Sequence, residues 1–125
     1  MVNRYWTIVL VTFMMAVSPS FAQTNNQDSI KYFVVLYTVG EAWDTTKQFY
    51  EQKHFDDHSN FLSKLRKEKL IPMGARYSDT GMIILKAKTE KEAWQIMEGD
   101  NSVKNKLFKF ELYEMDVFYE GCIVY

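Results

Sequence analysis

The chain has 125 residues, of which 47% are apolar and 25% are charged, and its formal net charge is −1. That length suits a single domain, and the composition excludes a disordered, collagen-like or coiled-coil protein. The near-neutral charge argues against nucleic acid as a partner, because phosphate binding needs a concentrated basic face. A single cysteine can neither close a disulfide within the chain nor build a thiolate zinc cage.

Residues 1–22 have the layout of a secretory signal peptide. A positive start precedes an apolar run over residues 5–17, and small residues follow at Ser20 and Ala22. The alternative, a membrane anchor, is disfavoured because the run is shorter than the roughly 20 residues of a spanning helix and is followed by Pro19. We therefore predict export to the periplasm or the exterior, with no stable membrane anchor after cleavage.

The predicted domain spans residues 30–119. Residues 23–29 are polar and without periodicity, which predicts a disordered lead-in, and residues 120–125 form a short C-terminal tail. Cys122 in this tail has no partner within the chain. Such a residue is more typical of a small inert hydrophobic side chain than of a nucleophile.

The first half of the domain is predicted as a strand followed by a helix. Residues 30–39 are rich in β-branched and aromatic side chains on both alternating faces, which predicts a central strand covered on both sides. Residues 44–69 are predicted as a helix that the poor helix formers of residues 53–57 can interrupt. Its inward stripe at helical spacing consists of His54, His58, Phe61, Leu62 and Leu65.

The second half is predicted as a hairpin, a helix and a last strand. Residues 70–77 form a strand that Pro72 confines to a sheet edge, residues 78–81 form a turn, and a third strand starts at Met82. Thr89 opens a capping box in which Glu92 reaches back to the Thr89 amide, and that helix ends at Gly99. The remaining predicted features are one further helical turn capped by Asp100 and ending at Lys106, and a strand over residues 107–118.

The order βαββαβ predicts an α+β, ferredoxin-like fold. Right-handed crossovers then give an antiparallel four-stranded sheet in the spatial order 4-1-3-2, with both helices on one face. The other face keeps apolar side chains that no further element of so short a chain can cover. We therefore predict a homodimer in which two sheets shield each other.

Two histidines, His54 and His58, are the first candidates for chemistry. Spaced by four residues, they share a helix face and can chelate a metal, but no third ligand is identified, so no metal or other cofactor is predicted. His58 lies on the inward stripe. It is either a core-edge histidine satisfied by a carbonyl or water, or a catalytic base.

A carboxylate and three further side chains complete the candidate site. Asp100 has a structural alternative as a helix cap, and spacing alone does not bring it to His58. Tyr37, Trp43 and Arg76 can line a pocket for a small anionic or aromatic ligand, although such aromatics are more often core. The chain lacks a G-x-S-x-G elbow and a glycine-rich phosphate loop.

Several short motifs in order resemble the YciI-like (YCII-related) family over residues 31–117. They are His58-x-x-Phe61-Leu62-x-x-Leu65, then Leu70-Ile71-Pro72-Met73-Gly74, then Thr89-x-Lys91-Glu92-Ala93 in a helix ending at Asp100. The resemblance implies a dimeric α+β barrel of ferredoxin-like fold. It also implies a His–Asp pair in a cleft near the dimer interface, proposed as catalytic, which by position is His58 and Asp100.

The chain departs from this family pattern at two places. Asn101 follows Asp100 where the family has a proline, and Ala75 and Arg76 follow Gly74 where it has glycine and proline. The second departure predicts a changed pocket wall. Two functions remain open: a small exported enzyme that uses the His–Asp pair for acid–base chemistry, or a non-catalytic homodimer that binds a small ligand or acts structurally.

Overall fold

Residues 29–119 form an antiparallel sheet packed against helices. The structure, a computed structural model, describes residues 29–119 and Gly121. The strands are β1 (Lys31–Val39), β2 (Met73–Tyr77), β3 (Thr80–Ala87) and β4 (Phe108–Met115), and the helices are α1 (Phe55–Lys67), α2 (Glu90–Met97) and α3 (Asn101–Lys104), with a 3₁₀ turn at Phe49–Glu51. The predicted α+β class is confirmed. The predicted signal peptide, most of the predicted lead-in and Cys122 lie outside the described residues.

The sheet order is β2-β3-β1-β4, and every neighbouring pair is antiparallel. β1 is central, as its two apolar faces predict. β2 lies at an edge and begins directly after Pro72, which has no amide hydrogen to give to a sheet. None of the helices within residues 29–119 is long and apolar enough to cross a membrane.

The core lies on one face of this sheet, beneath the helices. Phe33, Val35 and Tyr37 of β1 are buried there, together with Leu65 of α1 and Met97 of α2. Directly opposed residues share a face, so this face also carries Phe108, Phe110 and Leu112 of β4. The alternate side chains of β1 point away from the helices.

The prediction of one helix from residue 44 is wrong, because α1 begins only at Phe55. His54 has a left-handed backbone (φ 70°), which a helix cannot continue through. Before it, the buried Gln52 side chain accepts from the Asp44 amide at 3.0 Å and donates to the Asp44 carbonyl at 2.6 Å. These bonds fold residues 44–52 into a loop before α1. The predicted helix is therefore interrupted at His54, within the segment of poor helix formers at residues 53–57.

The hairpin between β2 and β3 is tighter than the sequence predicts. β2 starts at Met73 rather than residue 70, and β3 starts at Thr80 rather than Met82. Only two residues connect the strands, and the first of them, Ser78, has the positive φ (50°) that short hairpin turns require. Arg76 consequently pairs with Gly81.

One of the two hydrogen bonds predicted for the capping box at Thr89 is present. The Glu92 amide donates to the Thr89 hydroxyl at 3.1 Å, but the Glu92 carboxylate accepts from the Lys88 amide at 2.7 Å instead of the Thr89 amide. The predicted cap on the next turn is confirmed, since Asp100 accepts from the Ser102 amide at the start of α3. β4 ends at Met115, earlier than predicted.

Candidate functional site

Two helices, α1 and α3, bring the two predicted acid–base residues together. His58 lies in the first turn of α1, and Asp100 is the N-cap of α3, 42 positions later in the chain. The His58 Nδ1 atom is 2.6 Å from the Asp100 Oδ2 atom. The contact is nearly dry, because the Asp100 side chain is fully buried and that of His58 is 12% exposed.

Four hydrogen bonds hold the Asp100 carboxylate in place. Its Oδ2 atom accepts from His58 and from the Tyr37 hydroxyl at 3.3 Å. Its Oδ1 atom accepts from the Ser102 amide at 2.9 Å and the Ser102 hydroxyl at 2.7 Å. Both oxygens therefore accept two bonds, which satisfies the lone pairs that burial would otherwise leave unpaired.

These bonds keep Asp100 ionised. Burial opposes the charged form, but the hydrogen bonds from His58 and Ser102 outweigh it and lower the pKa of Asp100 below its ordinary value. Burial and the nearby Asp100 charge raise the pKa of the Tyr37 phenol, so Tyr37 stays protonated and donates. The site thus pairs a buried anion with a fixed neutral donor.

The ionised carboxylate also determines the tautomer of His58. An ionised Asp100 can only accept hydrogen bonds, so the Nδ1 atom of His58 carries a proton and donates it. In the neutral ring, Nε2 then bears the free lone pair. No side chain or backbone group in residues 29–119 hydrogen-bonds to Nε2, and it is not among the buried unpaired atoms. Nε2, the nitrogen that can take up a proton, is therefore accessible to a bound molecule.

Aromatic packing fixes the orientation of the imidazole. The ring centroid of His58 is 4.8 Å from that of Tyr37, in an edge-on arrangement, and 4.6 Å from that of Phe108. Together with the hydrogen bond at Nδ1, these contacts leave the ring little freedom to rotate. Such a fixed ring is the geometry that proton transfer to a bound molecule requires.

A cavity of about 280 Å³ adjoins this pair. His58, Tyr37 and Arg76 line it, between the start of α1 and the β2–β3 hairpin. Trp43, which the sequence also placed in the pocket, is not part of this lining. It packs on the outer side of Phe108, with ring centroids 5.6 Å apart.

A second histidine–carboxylate pair lies next to the first. The His54 Nδ1 atom is 2.8 Å from the Asp57 Oδ2 atom, and the Asn101 amide donates to the same oxygen at 3.2 Å. His54 and His58 therefore bind different carboxylates. Within residues 29–119 no group of three or more histidine, cysteine, aspartate or glutamate side chains is arranged to hold a metal ion.

Sequence reasoning missed two contributors to the site. Ser102 gives Asp100 two of its four hydrogen bonds, and its place two residues after a predicted N-cap is the signal that would have identified it. Gly81 lies in the cavity lining opposite Arg76, and only the register of the hairpin shows this.

Comparisons with known proteins place no relative beside this chain: no family model matches it, and no curated protein or solved structure matches it significantly.

Proposed function

We propose that this protein is a small exported YciI-like enzyme in which His58 and Asp100 move protons on a small molecule bound in the adjoining cavity. The observation that carries the proposal is the 2.6 Å contact between His58 Nδ1 and Asp100 Oδ2, which leaves Nε2 without a partner among residues 29–119. Asp100 orients the ring and holds a proton on Nδ1, and Nε2 takes or gives the proton. The sheet order with helices on one face supports a ferredoxin-like assignment.

Proton exchange tests this role without knowledge of the natural substrate. The readout is the rate at which a panel of small ketones and 2-oxo acids exchanges α-hydrogen for deuterium in D2O, followed by proton NMR. General acid–base groups contribute about 10²–10⁴-fold, so His58→Gln is expected to lower the rate by about 100-fold or more. His54→Gln is the matched control, because His54 also binds a carboxylate but does not line the cavity, and it should leave the rate unchanged.

Asp100→Asn is the sharper second variant. The Ser102 donors hold the position of Oδ1 and fix the carbonyl of the introduced amide there, so its NH₂ group faces His58 Nδ1. Nδ1 must then accept, and the ring proton moves to Nε2. The base is lost while the hydrogen bonds to His58 and Ser102 are kept, and the bond that the Tyr37 hydroxyl donates to Oδ2 is lost. We expect the exchange rate to fall as far as in His58→Gln.

The second candidate function is a non-catalytic binding or structural dimer. The complete burial and fourfold bonding of Asp100 favour it, because a purely stabilising pair would have the same environment. Under this alternative His58→Gln lowers the melting temperature but changes neither exchange nor ligand affinity. If the protein exchanges none of the panel compounds faster than buffer does, the proposal of an acid–base enzyme is contradicted. The non-catalytic function is then the one that remains.

Either function includes a homodimer formed through the sheet face away from the helices. The apolar side chains of that face include Val34, Leu36, Met82 and Tyr113, which are half-buried or exposed, and Tyr32 and Ile84, which are already buried in the single chain. At about 25 cal/mol per Å² of apolar surface, even a few hundred Å² buried between two copies would contribute several kcal/mol.

Sedimentation of the chain comprising residues 23–125 tests the dimer. We expect the mass of two chains, and Val34→Arg should return a folded monomer, because it places an unpaired charge at the centre of the proposed interface. Gln95→Arg, which adds the same charge at an exposed position of α2, should leave the dimer intact. A wild-type chain that sediments as a monomer would contradict the interface.

A further inference from the structure

Among the described residues, Arg76 is the one cationic side chain in the lining of the cavity beside His58. It lies on β2 opposite Gly81 of β3, and Gly81 in turn lies opposite Tyr37 of β1. Opposed residues share a face, so Arg76 and Tyr37 are on the helix side of the sheet, two strand spacings or about 10 Å apart. The glycine between them leaves that space open.

Two glycines form the floor of this cavity, and neither is required by the backbone. Gly74 and Gly81 both have negative φ, and a Cβ atom added at either would make only ordinary contacts, at 3.7 Å to Ile83 and 3.6 Å to Tyr37. The fold would therefore tolerate a Cβ atom at both positions. What glycine provides here is the volume itself, beside the guanidinium of Arg76.

The described part of the chain provides no ion-pair partner for Arg76. No hydrogen bond or ion pair joins its guanidinium to any group in residues 29–119, although Asp79 also lines the cavity. All five guanidinium donors are thus free for a ligand, and this planar fork matches a carboxylate at two points. Much of the remaining wall is apolar and includes Leu62, Ile83 and Phe108.

We propose that the cavity takes a small carboxylate with an apolar body, and that Arg76 holds the carboxylate while the body packs between His58 and the apolar wall. A volume of about 280 Å³ is below that of sites for drug-sized ligands, so the body has the size of a single ring. The inference rests on the proposed function only in taking this cavity as its ligand site, and it adds the class of ligand.

Benzoate and its neutral analogue benzamide are the probes, titrated into the chain of residues 23–125 by calorimetry and NMR. We expect benzoate to bind about tenfold or more tightly than benzamide, because only the carboxylate forms two charge-assisted bonds with Arg76. Arg76→Gln should remove that advantage and leave benzamide unchanged. Arg66→Gln is the matched control: it removes the same charge from an exposed position of α1 outside this cavity, and benzoate affinity should change less than about twofold.

A second variant tests the floor of the cavity. Gly81→Val fills the space between Arg76 and Tyr37 with a residue that favours strands, so it should weaken both probes while the melting curve stays cooperative. The proposal is overturned if benzoate fails to bind at about 10 mM, binds no better than benzamide, or responds equally to Arg76→Gln and Arg66→Gln. If inorganic phosphate binds more tightly than benzoate, and through Arg76, the assignment of a carboxylate as the ligand is overturned.

The two proposals fail separately. Benzoate binding needs no proton transfer, so Arg76-dependent binding with unchanged exchange in His58→Gln would remove the acid–base function and keep the carboxylate site. The reverse result, exchange that depends on His58 without a preference for benzoate over benzamide, would remove the carboxylate site and keep the acid–base function.

Discussion

Asp100→Ala is expected to lower the free energy of unfolding by about 3 kcal/mol. Asp100 is fully buried, and its removal leaves the bonding groups of His58, Tyr37 and Ser102 without their acceptor in a dry site. The cap of α3 is lost as well. For a domain of this size the melting temperature should fall by more than about 10 °C, measured by circular dichroism together with urea unfolding.

Asp57→Ala is the control for this prediction. Asp57 also binds a histidine, but its side chain is 42% exposed and solvent screens the pair, so the loss should be much smaller than in Asp100→Ala. Equal losses in the two variants would contradict the assignment of Asp100 as the buried anchor of the site.

The wild type and Asp100→Ala also give a test in which the sign of the pH dependence is defined. The pKa of Asp100 is lower in the folded chain than in the unfolded chain, so the unfolded state takes up the proton first as the pH falls. The contribution of the charge is complete above the unfolded value of about 3.9 and is lost progressively below it. The stability difference between the wild type and Asp100→Ala should therefore shrink as the pH falls below about 4.

Gly40→Ala is expected to destabilise the fold by about 3 kcal/mol or more, by a different mechanism. A Cβ atom at Gly40 would lie 2.2 Å from the Lys106 carbonyl oxygen, which is backbone and cannot swing aside. The two segments are tied here by bonds from the Gly40 amide to Leu107 at 2.7 Å and from the Ala42 amide to Lys106 at 2.9 Å. Relief of the clash would break both.

Gly74→Ala is the matched control for this substitution. Its new Cβ atom would meet the Ile83 side chain at 3.7 Å, an ordinary contact, so the free energy of unfolding should change by less than about 1 kcal/mol. Chemical unfolding of both variants is the measurement. A Gly40→Ala protein as stable as Gly74→Ala would show that the junction between β1 and the start of β4 yields more easily than its packing indicates.

Most of the sheet can be predicted from the sequence, because the burial of a strand determines which residue types it contains. Two apolar faces placed β1 at the centre, and one proline placed β2 at an edge. The start of α1 is not predictable in this way. It depends on the buried Gln52 side chain, which bonds back to Asp44, and on the left-handed backbone of His54, and neither has a periodic signal.

The site is less predictable than the fold, since its parts are far apart in the chain. His58 and Asp100 are candidates by residue type and by resemblance to a family, but only the packing of α1 against α3 brings them together. The place of Arg76 depends on a two-residue turn, and a slip of one residue would move its side chain to the other face of the sheet. The length of the β2–β3 turn therefore determines which side chains line the cavity, and the prediction from the sequence made this turn too long.

The proton position on His58 tests the central claim most directly. Nitrogen NMR of the imidazole, in a chain labelled with ¹⁵N at histidine, distinguishes a ring protonated on Nδ1 from one protonated on Nε2. At a pH where the ring is neutral, we predict the proton on Nδ1 and a bare Nε2 in the wild type, and the proton on Nε2 in Asp100→Asn. A wild-type ring protonated on Nε2, unaffected by the substitution, would contradict the account.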